Sequence, residues 1–279
     1  MKMYCDIKSV CDKYGLVVFL GGGSALGAIR HRGFIPWDDD LDLNMPREDY
    51  EKLLGVLEKE LGDEYNFSAP NTDCVDSAFL KIYKKGTILS EIFANQKYQG
   101  VWIDVFPIDY APETLYMQKL KGFWVDALIF IGISLFIAQK NNNAVRLHYK
   151  EKNKLLRYKV AIFLNKIFPI QYKSVYNLVD KILKQTRKSK VSTVAVGRAR
   201  YAGECISSTS LFPPRELDFD GLKVNVYKNV EEYLRKLYGD YMKIPSPEER
   251  ECHYVSEFYI PKGLTWKTIQ AKNYHLIRK

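Results

Sequence analysis

Hydrophobic and polar positions along the chain fall into two rhythms, and the change between them comes near residue 113. Before it, the apolar runs are short. Leu16–Leu20 ends at Gly21-Gly22-Gly23, as a buried strand entering a tight turn would, and Ser24 is placed to cap a short helix reaching Arg30. Asp40, Asp42 and Asn44 then alternate with Leu41, Leu43 and Met45, which predicts a strand with one acidic and one apolar face. A helix follows. Pro46 suits its first turn, Glu48 and Asp49 complement its dipole, and Tyr50, Leu53, Leu54, Leu57 and Leu61 share one face. Phe79–Tyr83 and Thr87–Phe93 read as strands joined in a hairpin by Lys84-Lys85-Gly86, and Val101–Phe106 as a strand stopped by Pro107.

From Leu115 to about Lys190 the pattern is helical. Within it Ala127–Ala138 is almost wholly apolar, yet shorter than the roughly 20 residues of a spanning helix. A buried core helix is expected there, with an interfacial helix as the alternative. Strand character returns after Val191. Asp218-Phe219-Asp220-Gly221 ahead of Leu222, Val224 and Val226 predicts a hairpin, and Asn229 opens a helix that Gly239 closes. The chain is thus expected to divide into residues 1–112, a basic and mainly helical segment 113–190, and residues 191–279.

A chain of 279 residues can bury a large core, and its apolar and charged fractions are ordinary for a globular protein. The five cysteines are scattered without CxxC spacing. With no secretory pattern at the N-terminus, they read as reduced thiols of a cytoplasmic protein. The net charge of +9 is uneven: residues 139–190 hold 14 Lys/Arg against Glu151 and Asp180. Such a segment is either a set of solvated basic helix faces or a surface for anions, a membrane or a phosphate-bearing acceptor. No nucleic-acid-binding motif accompanies it, so nucleic acid is not an expected partner.

Asp38-Asp39-Asp40-Leu41-Asp42 crowds four carboxylates into five positions. Like charges that close need a cation to neutralise them, and carboxylate oxygens suit Mg²⁺ or Mn²⁺. A solvated acidic loop is the alternative, but its alternation with Leu41 and Leu43 speaks for a strand. Asp40 and Asp42 are the expected metal ligands, with Asp38 and Asp39 as further candidates. Asp104 interrupts the apolar run Val101–Phe106 and is the expected third carboxylate, Asp109 its runner-up. A buried ion pair with Lys or Arg is the other reading of Asp104.

Gly22, Gly23 and Ser24 can approach a phosphate closely and lead into a helix N-terminus, although GxGxxG, GK[ST] and GxSxG all fail. Arg30, Arg32 and Lys81 can neutralise phosphate charge or form surface ion pairs. Trp37 and Trp102 can stack on a base, hold a quaternary ammonium, or simply pack in the core. His31 and His253 read as structural histidines.

The run Gly22-Gly-Ser-Ala-Leu-Gly-Ala-Ile-Arg-His-Arg-Gly-Phe-Ile-Pro-Trp-Asp-Asp-Asp-Leu-Asp-Leu43 closely resembles the signature of the LicD family, which includes bacterial phosphocholine transferases and is related to fukutin-type ribitol-phosphate transferases. Trp102–Asp109 and Tyr233–Met242 followed by Pro245 are similar as well. The resemblance implies an α+β, nucleotidyltransferase-like (polymerase-β-like) fold, a mixed sheet flanked by helices. It implies a catalytic core in 1–112, completed by 191–279 and interrupted by the helical insert. Gly22, Gly23 and Ser24 would cradle phosphate, and Asp40, Asp42 and Asp104 would bind Mg²⁺, with Asp104 helping to remove a proton. Lys81 and Thr87 fall in a segment similar to the family's Lys-rich strand and Thr, which implies contact with substrate. Arg30, Trp37 and Asp38 are expected to contact substrate on the reading of the residues themselves. A Thr often follows the glycines in the family; Ser24 keeps its hydroxyl. The implied activity moves a phospho-alcohol from a CDP-activated donor to a sugar or lipid-linked glycan acceptor. A glycosyltransferase using Asp-x-Asp and a catalytically inactive assembly partner are the rival readings.

Overall fold

A computed structural model describes residues 1–38, 40–91, 100–140, 155–167, 169–250 and 255–259. Helix α1 (Lys2–Tyr14) opens the chain where the sequence suggested no element. Its apolar stripe Met3, Tyr4, Ile7, Val10 and Cys11 is buried, and Gly15 ends it in the left-handed conformation. Strand β1 (Phe19–Leu20) is the short end of the expected apolar run. Helix α2 (Gly22–Arg30) begins two residues before Ser24, with Gly21 as its cap, so Ser24 lies inside the helix and does not cap it.

Strand β2 (Asp42–Pro46) and helix α3 (Arg47–Leu61) form as the alternation and the helical stripe require, although Pro46 stands just ahead of α3. Leu41, Leu43 and Met45 are buried beneath the sheet, as are Tyr50, Leu53 and Leu57 of α3. Strands β3 (Tyr65–Ser68), β4 (Leu80–Lys84), β5 (Ile88–Glu91) and β6 (Trp102–Ala111) follow. The expected β4–β5 hairpin does not form. Strand β4 pairs antiparallel with β3 and β6, whereas β5 pairs with β11 (Val255–Tyr259). The turn explains the divergence: Gly86 takes φ +74°, and the buried Thr87 hydroxyl donates to Lys84 O and accepts from Val101 N–H. The connection is thereby tied to the start of β6 and not folded back on β4.

Nor does Pro107 stop β6. Its partner β4 reaches only Val105, and the next partner, β7 (Val191–Thr193), begins at Asp109. The proline falls in the gap between them, where the missing N–H breaks neither ladder. The resulting seven-stranded sheet runs β1-β2-β6-β4-β3, with β7 on the far half of β6 and β8 (Ile206–Ser207) beyond it. It is mixed: β2 and β6 are parallel, and the other pairs are antiparallel. The Asp220-Gly221 turn joins β9 (Arg215–Phe219) to β10 (Leu222–Val226) with positive φ at both residues, as a two-residue hairpin demands.

Helix α4 (Leu115–Lys140) packs with α5 (Leu155–Ile167) and α6 (Tyr172–Lys184) into a second apolar cluster beside the sheet. Arg47 locks the two together. Its guanidinium makes paired 2.7 Å bonds to Asp109 on β6 and a 2.8 Å bond to Asp180 on α6. Two of the expectations for α4 change. The helix is 26 residues long, twice the Ala127–Ala138 run, and it is not simply a core helix. Val125, Leu135, Phe136 and Ile137 are buried, while Tyr116, Leu120, Phe123, Trp124, Phe130 and Ile131 face outward.

Candidate active site

The sheet register builds the site. In a ladder, residues directly opposite one another project to the same face. Asp42 on β2 stands opposite Asp104 on β6, Asp104 opposite Lys81 on β4, and Lys81 opposite Ser68 on β3. One row across four strands therefore carries two acids and a lysine. Leu43, Val105 and Leu80 fill the next row beneath, fully buried. Asp40, just before β2, joins the row. One carboxylate oxygen from each of Asp40, Asp42 and Asp104 lies within 4.8 Å of the others. The Lys81 ammonium sits 3.1 Å from Asp104 and 4.9 Å over the Trp102 ring, so the ion pair expected as an alternative for Asp104 coexists with the cluster. Asp109 is a different case: its pairing with Arg47 makes it a structural anchor.

The glycine run is required by these acids. A Cβ on Gly22 would lie 2.7 Å from Asp42 Oδ2, and one on Gly23 would lie 2.5 Å from Asp38 Oδ2. Gly22 also takes φ +43°, which favours glycine. Its N–H donates to the Tyr233 hydroxyl at 3.1 Å. The Ser24 hydroxyl accepts from the Asp42 N–H at 2.9 Å, so this serine fixes the backbone of an acid and does not line the cleft.

The acids open into a cleft of about 730 Å³. Gly22, Gly23, Arg30, Trp37, Asp38, Asp40, Asp42 and Asp104 all line it. Thr87 does not, its hydroxyl being committed to the turn described above. Trp37 is no open cage for an organic cation, because the Arg250 guanidinium lies 4.2 Å from its ring and that of Arg30 lies 5.7 Å away. His31 meets Trp37 edge-on, and burial beside Arg30 holds its imidazole below the usual value. Asp39 and His253 lie outside the described residues.

Several cleft residues went unnoticed in the sequence. Arg198, Lys243 and Arg250 bring positive charge to the cleft, which Asp240 and Glu249 line as well. Glu204, 2% exposed, is a lone acid within Tyr201-Ala-Gly-Glu-Cys-Ile206, the same signal that marked Asp104. Three carboxylates at this spacing, all hard oxygen donors, fit a divalent cation. The arginines and lysine that line the same cleft suit a phosphate ester.

Residues 15–127 match the family described as LicD/FKTN/FKRP, nucleotidyltransferase domain. The chain carries a LicD-family domain. The lipopolysaccharide cholinephosphotransferase LicD of Haemophilus influenzae is 26% identical over 266 residues, which are 90% of this chain and 92% of that protein. Human ribitol 5-phosphate transferase FKRP is 41% identical over 64 residues, 22% of this chain and 13% of FKRP. An uncharacterised protein of Rickettsia prowazekii is 30% identical over 99 residues, covering 33% of this chain and 37% of its own. The matched family domain contains the glycine run, the acidic strand and Asp104, so the row described above lies wholly within it. The relatives with named activities are transferases of a phosphate-linked group.

Proposed function

We propose that the protein transfers a phospho-alcohol, phosphocholine or a similar group, from a CDP-activated donor to a sugar hydroxyl of a cell-surface glycan precursor, releasing CMP. The observation that carries this reading is the register of Asp42 with Asp104, which gathers three carboxylates in a cleft walled by arginines. Asp40, Asp42 and Asp104 would hold Mg²⁺, or Mn²⁺ in its place. When bound, that ion would neutralise charge on the phosphoryl group in transfer. Arg30, Arg198, Lys243 and Arg250 would draw the donor's phosphates into the cleft. Lys81 would hold Asp104 in place. The curled mixed sheet is read as nucleotidyltransferase-like, following the description of the family. Residues 1–112 and 191–279 form the catalytic part in this reading, and 113–190 the insert.

The outward face of α4 and the basic charge of residues 139–190 support a second element of the proposal. The enzyme works at the cytoplasmic face of an anionic membrane, where a lipid-linked acceptor is held.

The test is incubation with a panel of CDP-alcohols and Mg²⁺, with nucleotide products separated. CMP release by wild type, lost in Asp42→Asn, is expected. Release of a nucleoside diphosphate from a nucleotide sugar would make the protein a glycosyltransferase instead. Absence of both turnover and Mg²⁺ or Mn²⁺ binding would reduce it to an assembly partner.

A further inference from the structure

The acids of the sheet row hold charge well but are poorly suited to take a proton. Asp104 is already paired with Lys81, and all three carboxylates are committed to a cation in the reading above. The cleft holds another carboxyl. Glu204 follows the single-turn helix α7 (Arg200–Gly203) and lines the same cleft as the sheet row's acids. Its Oε1 accepts the Ala199 N–H at 3.0 Å, whereas Oε2 is buried with no hydrogen-bond partner among the described residues. An idle buried carboxyl oxygen destabilises a fold and needs a reason. Gly197 keeps the group where it is. A Cβ there would lie 2.8 Å from Glu204 Oε1 and push the carboxyl aside, and Gly197 itself lines the cleft.

We infer that Glu204 Oε2 receives the proton of the attacking sugar hydroxyl, an assignment that rests on the phosphotransferase reading above. As the hydroxyl oxygen bonds to phosphorus, the bond from phosphorus to the CMP oxygen breaks and its electron pair leaves with the nucleotide. The proton passes to Glu204 and then to solvent, so the products are the phosphodiester, CMP and one proton.

The surroundings suit this task. Arg198 and Lys236 favour the ionised form, and the neighbouring Tyr227, Tyr233 and Cys205 are all held above their usual values by burial. Tyr238, from helix α8 (Val230–Tyr238), also faces the carboxyl and is raised in the same way. Burial outweighs the two cations and lifts Glu204 from its ordinary value to about 7. A base of that strength is about half ionised at neutral pH and accepts a proton readily.

Rates of CMP release by the full chain, followed from about pH 5.5 to pH 9, test the assignment. In wild type kcat is expected to rise with pH, bend near 7 and level off. Glu204→Gln should lower kcat by about 10²-fold or more with KM little changed, and the rising limb should vanish. Glu204→Asp should restore part of the rate together with the limb. Gly197→Ala displaces the carboxyl without removing it and should lower kcat about 10-fold or more, as expected for a misplaced reacting group. This second variant decides the matter if Glu204→Gln does not fold. A folded Glu204→Gln that keeps the limb, or one that raises KM with kcat unchanged, overturns the assignment alone, as does an unaffected Gly197→Ala. Wild type inert on every donor overturns the phosphotransferase reading and this assignment with it.

Discussion

Across the sheet, Asp42, Asp104 and Lys81 stand in a single row on three strands, with Asp40 joining them. Along α4, a helix of about 39 Å, Tyr116, Leu120, Phe123, Phe130 and their neighbours turn outward. The first region gathers charges that repel one another; the second exposes apolar surface that folding ordinarily hides. Both cost stability, and each is supported by a conventional layer: Leu43, Val105 and Leu80 beneath the row, Val125, Leu135 and Phe136 behind the helix. The difference lies in what would relieve the cost. A small cation answers the first, whereas only an extended surface answers the second. Removing single groups from either region shows whether that distinction holds.

The largest effect is expected at the row. Asp42→Asn should lower CMP release by about 10²–10³-fold, the scale of losing one preorganised charge at a transition state. It should also weaken Mg²⁺ binding in a calorimetric titration. Stability should stay level or rise without Mg²⁺, because the substitution relieves repulsion among the three acids. A marked fall in metal-free stability would mean that Asp42 holds the fold and not a cation.

Next in size is the junction between the two regions. Arg47 bonds Asp109 of the sheet and Asp180 of α6, and both acids are buried. Arg47→Met strands the buried Asp109 carboxylate and leaves Asp180 to Lys184 and Asn71, which by analogy with other broken buried pairs costs about 3–5 kcal/mol in a denaturant titration. If the loss stays under about 1 kcal/mol, the helical segment is not held to the sheet by this contact.

Glu204 gives a smaller effect whose sign depends on pH. Its folded value, about 7, lies above the ordinary value of 4.5, so the folded protein holds the proton more tightly than the unfolded chain. That contribution is present below pH 4.5 and is lost as pH rises through 7. Glu204→Gln titrates in neither state. Relative to wild type it should therefore gain roughly 3 kcal/mol between pH 4 and pH 8, from 1.36 kcal/mol per unit. A pH-independent difference would show that the carboxyl is not desolvated in the folded protein.

The acidic strand was legible in sequence because alternation fixes which side chains share a face, and no tertiary contact is needed to read it. Asp104 was legible as an acid inside an apolar run. Its alignment with Asp42 was not, since parallel register depends on how β2 and β6 slide together. The hairpin expected at Lys84-Lys85-Gly86 failed for a related reason: local turn residues allow a reversal, but Thr87 ties the turn to Val101 instead. Ser24 looked like a cap and proved to hold the backbone of Asp42, a contact across 18 residues. Glu204 carried the same mark as Asp104 yet lies far along the chain from the acidic strand, so sequence order hid its place in the cleft.

The smallest effect on stability should come from α4, and there the comparison is sharpest. Phe123 and Trp124 are 64% and 62% exposed, so replacing both with Ser should change folding stability by no more than about 0.5 kcal/mol per site. Leu115–Gln139 is the one helix among the described residues long and apolar enough to cross a membrane, but a third of that apolar window is buried against the protein. An aromatic face beside a segment rich in Lys and Arg fits a helix lying on anionic lipid better than one passing through it. Wild type should sediment with vesicles containing phosphatidylglycerol at low salt and detach as ionic strength rises. The double Ser variant should sediment less at every salt concentration while keeping its activity on soluble acceptors. Equal sedimentation of the two proteins would leave charge alone as the attraction. If neither protein sediments, α4 faces something other than a membrane, and the contrast with the acidic row would then be between two surfaces awaiting a partner of protein or sugar.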